Sequence, residues 1–306
     1  MLAYAIRRFL QIIPVILVVS FIVFFMVNLI PGDPVANMLG PNAPAGAAEA
    51  LREKLGLNDP LPIRYLRFLS GVIKGDLGTS IFSKKPVLEE IINRYKVTLY
   101  LAIGGTVIAG FFGVIFGVIA AVNRNNFLDN IIMVISLLSV SAPSFFLALI
   151  LMLVFALYLG WLPSTGLRSS YGYILPIITL GARSVGIIAR TTRSAMLDVL
   201  YQDYIRTSRA RGISEAIVKY SHALKNALIP VVTVIGLRFG GLLAGSVLVE
   251  SVFSIPGLGR LLVDAVLKRD YPVVQGTILV ISITFVLVNT IVDLFYAAID
   301  PRIKYK

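Results

Sequence analysis

The chain has 306 residues, of which 57% are hydrophobic and only 14% charged, with a mean hydropathy of +0.87. A soluble globular chain is about 45–50% apolar and about 25% charged, so this composition excludes a soluble enzyme, a disordered tail and a disulfide-rich secreted module. The net charge of +12 suits a membrane protein, in which Lys and Arg accumulate on the cytoplasmic side, better than it suits a nucleic-acid-binding protein.

Long apolar runs predict six membrane-spanning helices, since a helix needs about 20 apolar residues to cross a bilayer. The runs are Phe9–Ile30, Val97–Val122, Ile131–Leu159, Ile174–Ile188, Ile229–Phe253 and Gln275–Ala298. The fourth run is interrupted by Arg183, and charge begins again at Arg190. The first run is longer than a signal-peptide core of about 7–15 residues, and no small-x-small cleavage site follows it. We therefore expect a permanent first helix over residues 1–30.

Positive charges predict that both termini are cytoplasmic. The polar segment 190–228 carries seven basic residues against three acidic ones, and the tail 300–306 adds three more basic residues. Such an excess marks the inner side of a membrane protein. The segment 31–96 then lies outside as a small external domain, with helical patterns at Ala47–Leu55 and Ile63–Val72, and residues 97–299 form the core of the remaining five helices.

No catalytic constellation is visible in the sequence. His222 is the only histidine and there is no cysteine, so neither a Ser-His-Asp triad nor a Cys-ligated metal site can be assembled. The phosphate-binding sequence G-x-x-x-x-G-K-[ST] is also missing. We expect no metal on this chain, and a membrane-embedded hydrolase is disfavoured. If ATP drives the protein, a separate chain must hydrolyse it.

Charged residues inside the predicted spans are candidates for a translocation pathway. They are Arg183 in the fourth span, Arg238 in the fifth and Glu250 near the outer end of the fifth. Charges are costly inside a membrane and mark polar pathways by default, where the two arginines would meet an anion such as a carboxylate. The alternatives are pairing between helices and, for residues near span ends such as Asp293, extension of the side chain to the interface.

Glycines recur at small-xxx-small spacing in two of the spans. Gly113 and Gly117 lie in the second, and the fifth contains Gly236, Gly240, Gly241 and Gly245. Such positions let helix backbones approach closely in lipid. The pattern predicts either a tight bundle or a subunit interface, and it does not choose between them.

The polar segment 190–228 is too patterned for a loose loop. Met196, Leu197 and Leu200 form one apolar face, Gly212 is a natural helix stop, and Ser214 is an expected N-cap of the helix that leads into the fifth span. The pattern predicts a short helix, a turn and a second helix that protrude into the cytoplasm. Such a projection can dock another protein, or it can simply be a charged surface that sets the topology.

Several strings occur here in a fixed order along the chain. They are Ile30–Pro34, Leu55–Pro60, Gly75–Gly78, Ala189–Met196, Asp203–Gly212 with His222–Pro230, Gly245–Glu250, Pro256–Arg260, Arg269–Pro272 and Asp300–Ile303. Together they resemble the sequences of ABC importer permeases, and more narrowly the first permease subunit of peptide and nickel importers. Within them, Asp203–Gly212 with His222–Pro230 is similar to the cytoplasmic EAA loop of that family. The general loop begins with Glu-Ala-Ala six residues before its glycine. Here Arg206-Thr207-Ser208 takes that place, whereas the peptide branch has Arg-Thr-Ala. Leu224-Lys225 also stands where the general motif has Leu-Pro.

The resemblance implies an all-α membrane protein with six spans and the type I importer permease fold. It further implies a second permease, two cytoplasmic ATPases that hold ATP and Mg, and an extracytoplasmic solute-binding protein. The residues implied to contact an ATPase are Asp203, Tyr204, Arg206, Thr207, Arg209, Ala210, Arg211 and Gly212. The expected substrate is a dipeptide, an oligopeptide or glutathione, with nickel or a nickel chelate as the alternative. An ion-driven secondary transporter is the alternative of another class.

Overall fold

The computed structural model describes residues 2–29, 46–54, 58–167 and 170–299, together with the single positions 35, 39, 44 and 56. The turn-forming cluster Pro31–Pro34 and the tail 300–306 lie outside these residues. Within them the chain is helical, and the β-structure recorded is an isolated bridge between Thr79 and Pro86.

The α-helices are, in chain order, α1 (Leu2–Leu29), α2 (Ala47–Lys54), α3 (Leu61–Lys74), α4 (Val87–Val122), α5 (Phe127–Ser141), α6 (Ser144–Leu151), α7 (Ile174–Leu200), α8 (Asp203–Ala210), α9 (Glu215–Ile217), α10 (Leu224–Val252), α11 (Leu258–Lys268) and α12 (Tyr271–Ile299). Two π-helical segments, Met152–Tyr158 and Val218–Ala223, continue α6 and α9. A 3-10 turn at Ser170–Tyr173 precedes α7.

The described part of the chain contains five helices long and apolar enough to cross a membrane, and α5 with the helix that follows it makes a sixth, broken span. The six-span prediction is confirmed in this form, but Ile131–Leu159 is not one continuous helix. The two halves of this span are bent by 108°. Pro143 explains the bend, because proline lacks a backbone N–H and disfavours helical geometry in the residue before it. Ala142 is accordingly extended, with ψ at 131°.

The core of the bundle is formed by α4, α7 and α10, which contact one another pairwise. A Cβ atom added at Gly113 would come within 2.7 Å of Ile188 Cβ, and one at Gly117 within 2.5 Å of the Ala189 carbonyl oxygen. These two glycines therefore let α4 and α7 touch within one chain. Gly241 differs, because a Cβ atom there would meet nothing within 4 Å.

The region between α1 and α4, which the sequence predicts to be external, packs against α1. Tyr65 of α3 lies edge-on to Phe21 of α1, and its hydroxyl is 2.9 Å from Ser20 Oγ.

Helix α11, which the sequence patterns did not predict, packs with α4 and α12 around a shared apolar cluster. The cluster contains Val87, Ile91, Leu258, Leu261, Ala265, Val273 and Val274.

The opposite ends of α1 and α12 are joined by an ion pair. Arg8 Nη1 lies 3.1 Å from Asp293 Oδ2, with both side chains partly exposed. The pair places the beginning of α1 and the last turns of α12 at the same end of the bundle. This arrangement agrees with an even number of membrane crossings from the start of α1 to the end of α12.

Candidate functional site

The segment between α7 and α10 folds as a helix, a tight turn and a second helix. Helix α8 begins at Asp203, directly after the extended residue Gln202, and ends at Ala210. Gly212 follows with φ at +76°, and its N–H donates to the Arg209 carbonyl oxygen at 2.9 Å. Residues with a Cβ atom rarely adopt this left-handed conformation, so glycine is favoured here. The predicted helix stop is confirmed.

One apolar side chain anchors this projection to the bundle. Ile205 of α8 is fully buried. It packs in a cluster with Val118 and Ala121 of α4, Met196 and Val199 of α7, and Val218, Ala223 and Ala227 of the following helix. A displacement of α8 must therefore act directly on the ends of the three core helices.

Polar contacts tie the two arms of the projection together. Arg209 Nε donates to Glu215 Oε1 at 2.6 Å across the turn, and Asn226 Nδ2 donates to the Tyr204 hydroxyl at 2.8 Å. His222 Nδ1 lies 3.4 Å from Ser208 Oγ, which gives the only histidine a structural contact. Ser214 occupies the N-cap position as predicted, but its side chain makes no capping hydrogen bond.

The outer surface of the projection is open and basic. All eight residues that the sequence singled out here are exposed, namely Asp203, Tyr204, Arg206, Thr207, Arg209, Ala210, Arg211 and Gly212. Arg206 lies 3.9 Å from Asp203 and both side chains are largely in solvent, where such a pair stabilises the helix little. The structure thus leaves this surface free to contact another molecule.

A buried ion pair that the sequence patterns did not reveal lies beside this projection. Arg193 of α7 donates from Nε and Nη2 to the two carboxylate oxygens of Asp129, each at 2.6 Å. The Asn125 N–H adds a third bond to Asp129, whose side chain is only 2% exposed. The pair locks α5 to α7. The sequence feature that could have revealed this pair is Asp129 itself, an acidic residue just ahead of an apolar run.

Glu250, a predicted pathway residue, is fully buried inside the protein. Its Oε1 accepts a hydrogen bond from Thr98 Oγ1 at 2.7 Å, and its Oε2 accepts from the N–H groups of Gly259 at 2.7 Å and Arg260 at 3.1 Å. The Leu258 N–H donates to Thr98 Oγ1 at 2.8 Å. The carboxylate therefore satisfies the free N–H groups at the start of α11. The pathway role of Glu250 stays a prediction, and these contacts show a role in holding α10, α4 and α11 together.

A second buried carboxylate fixes the loop between α3 and α4. Asp270, at the corner between α11 and α12, accepts hydrogen bonds from Ser80 Oγ at 2.5 Å and from the Ile81 N–H at 3.1 Å. Its side chain is nearly inaccessible. Together with Glu250 it joins α11 and the loop between α3 and α4 in one connected surface, which also exposes Lys268 and Arg269.

Arg183 and Arg238, the other two predicted pathway residues, lie on α7 and α10 and are both exposed. The ion pairs recorded in the described part of the chain involve other cations. That part also contains no group of three or more His, Asp or Glu side chains arranged to hold a metal ion.

Comparison with known proteins places similarity along the entire chain. Residues 113–305 match the family described as "Binding-protein-dependent transport system inner membrane component", and residues 1–102 match the N-terminal family of the same systems. The chain is 49% identical to the glutathione transport system permease protein GsiC of Escherichia coli K12 and 48% identical to that of Salmonella paratyphi A. Both comparisons cover 306 residues and 100% of each chain.

Two solved structures share the fold. A chain of the MetNI methionine ABC transporter, in inward-facing conformations, superposes with a TM-score of 0.55 at 22% identity and covers 68% of this chain and 97% of its own. A chain from an amino acid ABC transporter structure described "with histidines" superposes with a TM-score of 0.52 at 18% identity, covering 76% and 98%.

Proposed function

This chain belongs to the family of inner-membrane components of binding-protein-dependent transport systems, and we propose that it imports glutathione or a related small peptide as part of an ATP-driven complex. It is a multi-pass inner-membrane permease, and its relatives are transport components rather than enzymes. The observation that carries the substrate class is full-length similarity to permeases named for glutathione transport. No feature of the described residues favours nickel.

The proposed complex contains this chain, a second permease, two cytoplasmic ATPases that bind ATP and Mg, and an extracytoplasmic binding protein. The segment Asp203–Gly212 would contact an ATPase on the cytoplasmic side, where both termini would also lie. Two features support this assignment. The surface of α8 is exposed and basic, and Ile205 connects it to all three core helices.

We assign the binding-protein contact to the opposite end of the bundle. The external domain 31–96 and α11 would form this surface, because Asp270 and Glu250 hold its described parts as one unit. Charged side chains of both signs, exposed or partly exposed on α11 and on the loop between α3 and α4, would bind a polar surface of the partner. Movement of the binding protein would then reach α10 through Glu250.

Charge reversal on α8 tests the ATPase contact. In a complex reconstituted in vesicles, Arg206→Glu should abolish most ATP-dependent uptake of radiolabelled glutathione and weaken co-purification of the ATPases. Arg206 is the suitable position, because its side chain contributes little to the fold. Arg7→Glu, an exposed charge reversal on α1 outside the EAA-like loop, is the control and should retain uptake.

Normal coupled uptake by the Arg206→Glu complex would contradict the ATPase contact. An uncoupler, added while ATP is maintained, tests the remaining alternative, an ion-driven secondary transporter. An ATP-driven importer continues to accumulate glutathione under these conditions, whereas an ion-driven transporter stops.

A further inference from the structure

We propose that Arg183 and Arg238 form a carboxylate-binding site at the middle of the membrane, which holds the acidic groups of the substrate during its passage. The inference rests on the proposed function, since it names the chemistry by which an anionic small peptide would be recognised inside the permease. Three features of the structure support it: the common depth of the two residues on adjacent helices, their exposure and their lack of a described anionic neighbour.

Helix α4 provides a scale for the depth of both arginines. A Cβ atom at Gly105 would lie 3.3 Å from Leu180 Cβ of α7 and 3.5 Å from Leu242 Cδ1 of α10, so these two residues share one level. Arg183 follows Leu180 by three residues, and Arg238 precedes Leu242 by four. Because α7 and α10 run in opposite directions, both displacements lead toward the inner end. At about 1.5 Å per residue, both arginines lie roughly 5–6 Å below this level.

The level of the two arginines is close to the centre of the apolar stretch. The uncharged run of α4 extends over residues 97–122, and its midpoint lies between residues 109 and 110. A position 5–6 Å below Gly105 corresponds to residue 108 or 109 of α4. The arginines are therefore too deep to be explained by their reaching an interface, which accounts for basic residues near span ends.

Neither arginine lies in the contact that its helix makes with α4. Gly181 of α7 faces α4, with its Cβ position 2.9 Å from the Gly105 carbonyl oxygen. Arg183 is two residues further on, about 200° around the helix, and so lies away from α4. On α10, Ile235 faces α4 and Gly236 faces α12. Arg238 lies about 60° from the Ile235 direction, on the side away from Gly236 and α12. The two arginines thus lie on helices that pack against each other.

Two exposed cations at this depth need an anion. A charge at the centre of a bilayer costs about 2.5–3.5 kcal/mol on insertion scales, and such residues therefore line polar cavities or meet a partner. The chain neutralises Arg193, further along α7, with a buried aspartate, but the ion pairs of the described part include neither Arg183 nor Arg238. Planar guanidinium groups bind carboxylates in a bidentate manner. Glutathione carries two carboxylates, which matches two guanidinium groups.

Graded substitutions test the site in the complete complex with its binding protein. The Arg183 and Arg238 positions are each changed to Lys, Gln and Glu, and ATP-dependent uptake of radiolabelled glutathione into vesicles is measured. We expect uptake to fall in the order Arg, Lys, Gln, Glu, with at least a roughly tenfold loss in each Gln variant, equivalent to about 1.4 kcal/mol. Co-purification of the second permease and ATP turnover without substrate should stay unchanged. Arg124→Gln, at an exposed arginine just after α4, is the control and should behave like the wild type.

Two results would overturn the site. Unchanged uptake in the Gln and Glu variants would show that neither charge meets the substrate. Loss of the second permease from the Gln complexes would show that the arginines instead pair with an acidic group of that subunit. If the wild-type complex failed to import glutathione, the proposed function itself would be contradicted, and this result is distinguishable because it precedes any substitution.

Discussion

The contact between Glu250 and the start of α11 makes a specific prediction about local stability. Replacing the carboxylate by an amide, in Glu250→Gln, keeps the size of the side chain but removes its charge. The first turn of α11 should then open more often, because its N–H groups lose a charged acceptor. The change should also weaken the link from α11 to Thr98 of α4.

The magnitude follows from the hydrogen bonds that the carboxylate accepts. Hydrogen bonds to a charged group contribute about 1.5–3 kcal/mol and neutral ones about 0.5–1.5 kcal/mol, so the bonds from Gly259 and Arg260 should each weaken by about 1 kcal/mol. Loss of the negative charge at a helix N-terminus adds about 0.3–1 kcal/mol. The total is about 2–3 kcal/mol, which corresponds to a roughly 30- to 150-fold increase in local opening.

Hydrogen exchange of the purified complex measures this opening at individual amides. The Gly259 and Arg260 amides of the Glu250→Gln protein should exchange roughly 30 to 150 times faster than in the wild type, whereas amides in the middle of α7 should be unaffected. Glu89→Gln, the same change at an exposed glutamate of α4, is the control. Equal exchange at Gly259 in the two variants would refute the assigned role of Glu250.

Three further predictions concern the packing of α5 and α4 on α7 and the turn after α8. Asp129→Asn should destabilise the chain by about 3 kcal/mol in denaturant titration. Removal of one partner of a buried pair costs about 3–5 kcal/mol, and the lower end applies because Arg193 retains 25% exposure. The double change with Arg193→Gln should cost less than the sum of the single changes, and strict additivity would contradict the pairing. Gly212→Ala should cost about 1 kcal/mol of stability through its left-handed φ alone. Gly117→Ala should cost more, about 1–3 kcal/mol, because the added methyl group overlaps α7. A lower melting temperature for Gly212→Ala than for Gly117→Ala would contradict the packing of α4 on α7.

Local features of the sequence predicted the spans and the turn after α8. The apolar runs matched the spanning helices because the transfer of a helix into lipid depends on its own side chains and length. The stop at Gly212 was likewise predictable, since a left-handed residue after a helix is a local requirement. Pro143 carried the signal for the break in the third span, although hydropathy alone did not reveal it.

Helix α11 escaped prediction for a different reason. Its 11 residues mix apolar and charged side chains, and such a segment has no hydropathy that distinguishes it from a loop between two spans. What stabilises it is supplied from elsewhere: the carboxylate of Glu250 at its first turn and the cluster formed with Val87 and Ile91 of α4. A short helix of this kind is held by tertiary contacts rather than by its own propensity.

The roles of the charged residues were decided only by the tertiary structure. By itself, the sequence established a membrane-embedded helical chain with a basic projection before the fifth span, because hydropathy, charge bias and turn chemistry are properties of neighbouring residues. It could not tell that Glu250 closes a helix end through Thr98, or that Asp129 meets Arg193, since these partners are 152 and 64 positions apart. Nor could it place Arg183 and Arg238 at one depth, which follows from the packing of two antiparallel helices on a third. The electrostatic role of a charge depends on the distance to its partners in space, and only the folded chain sets that distance.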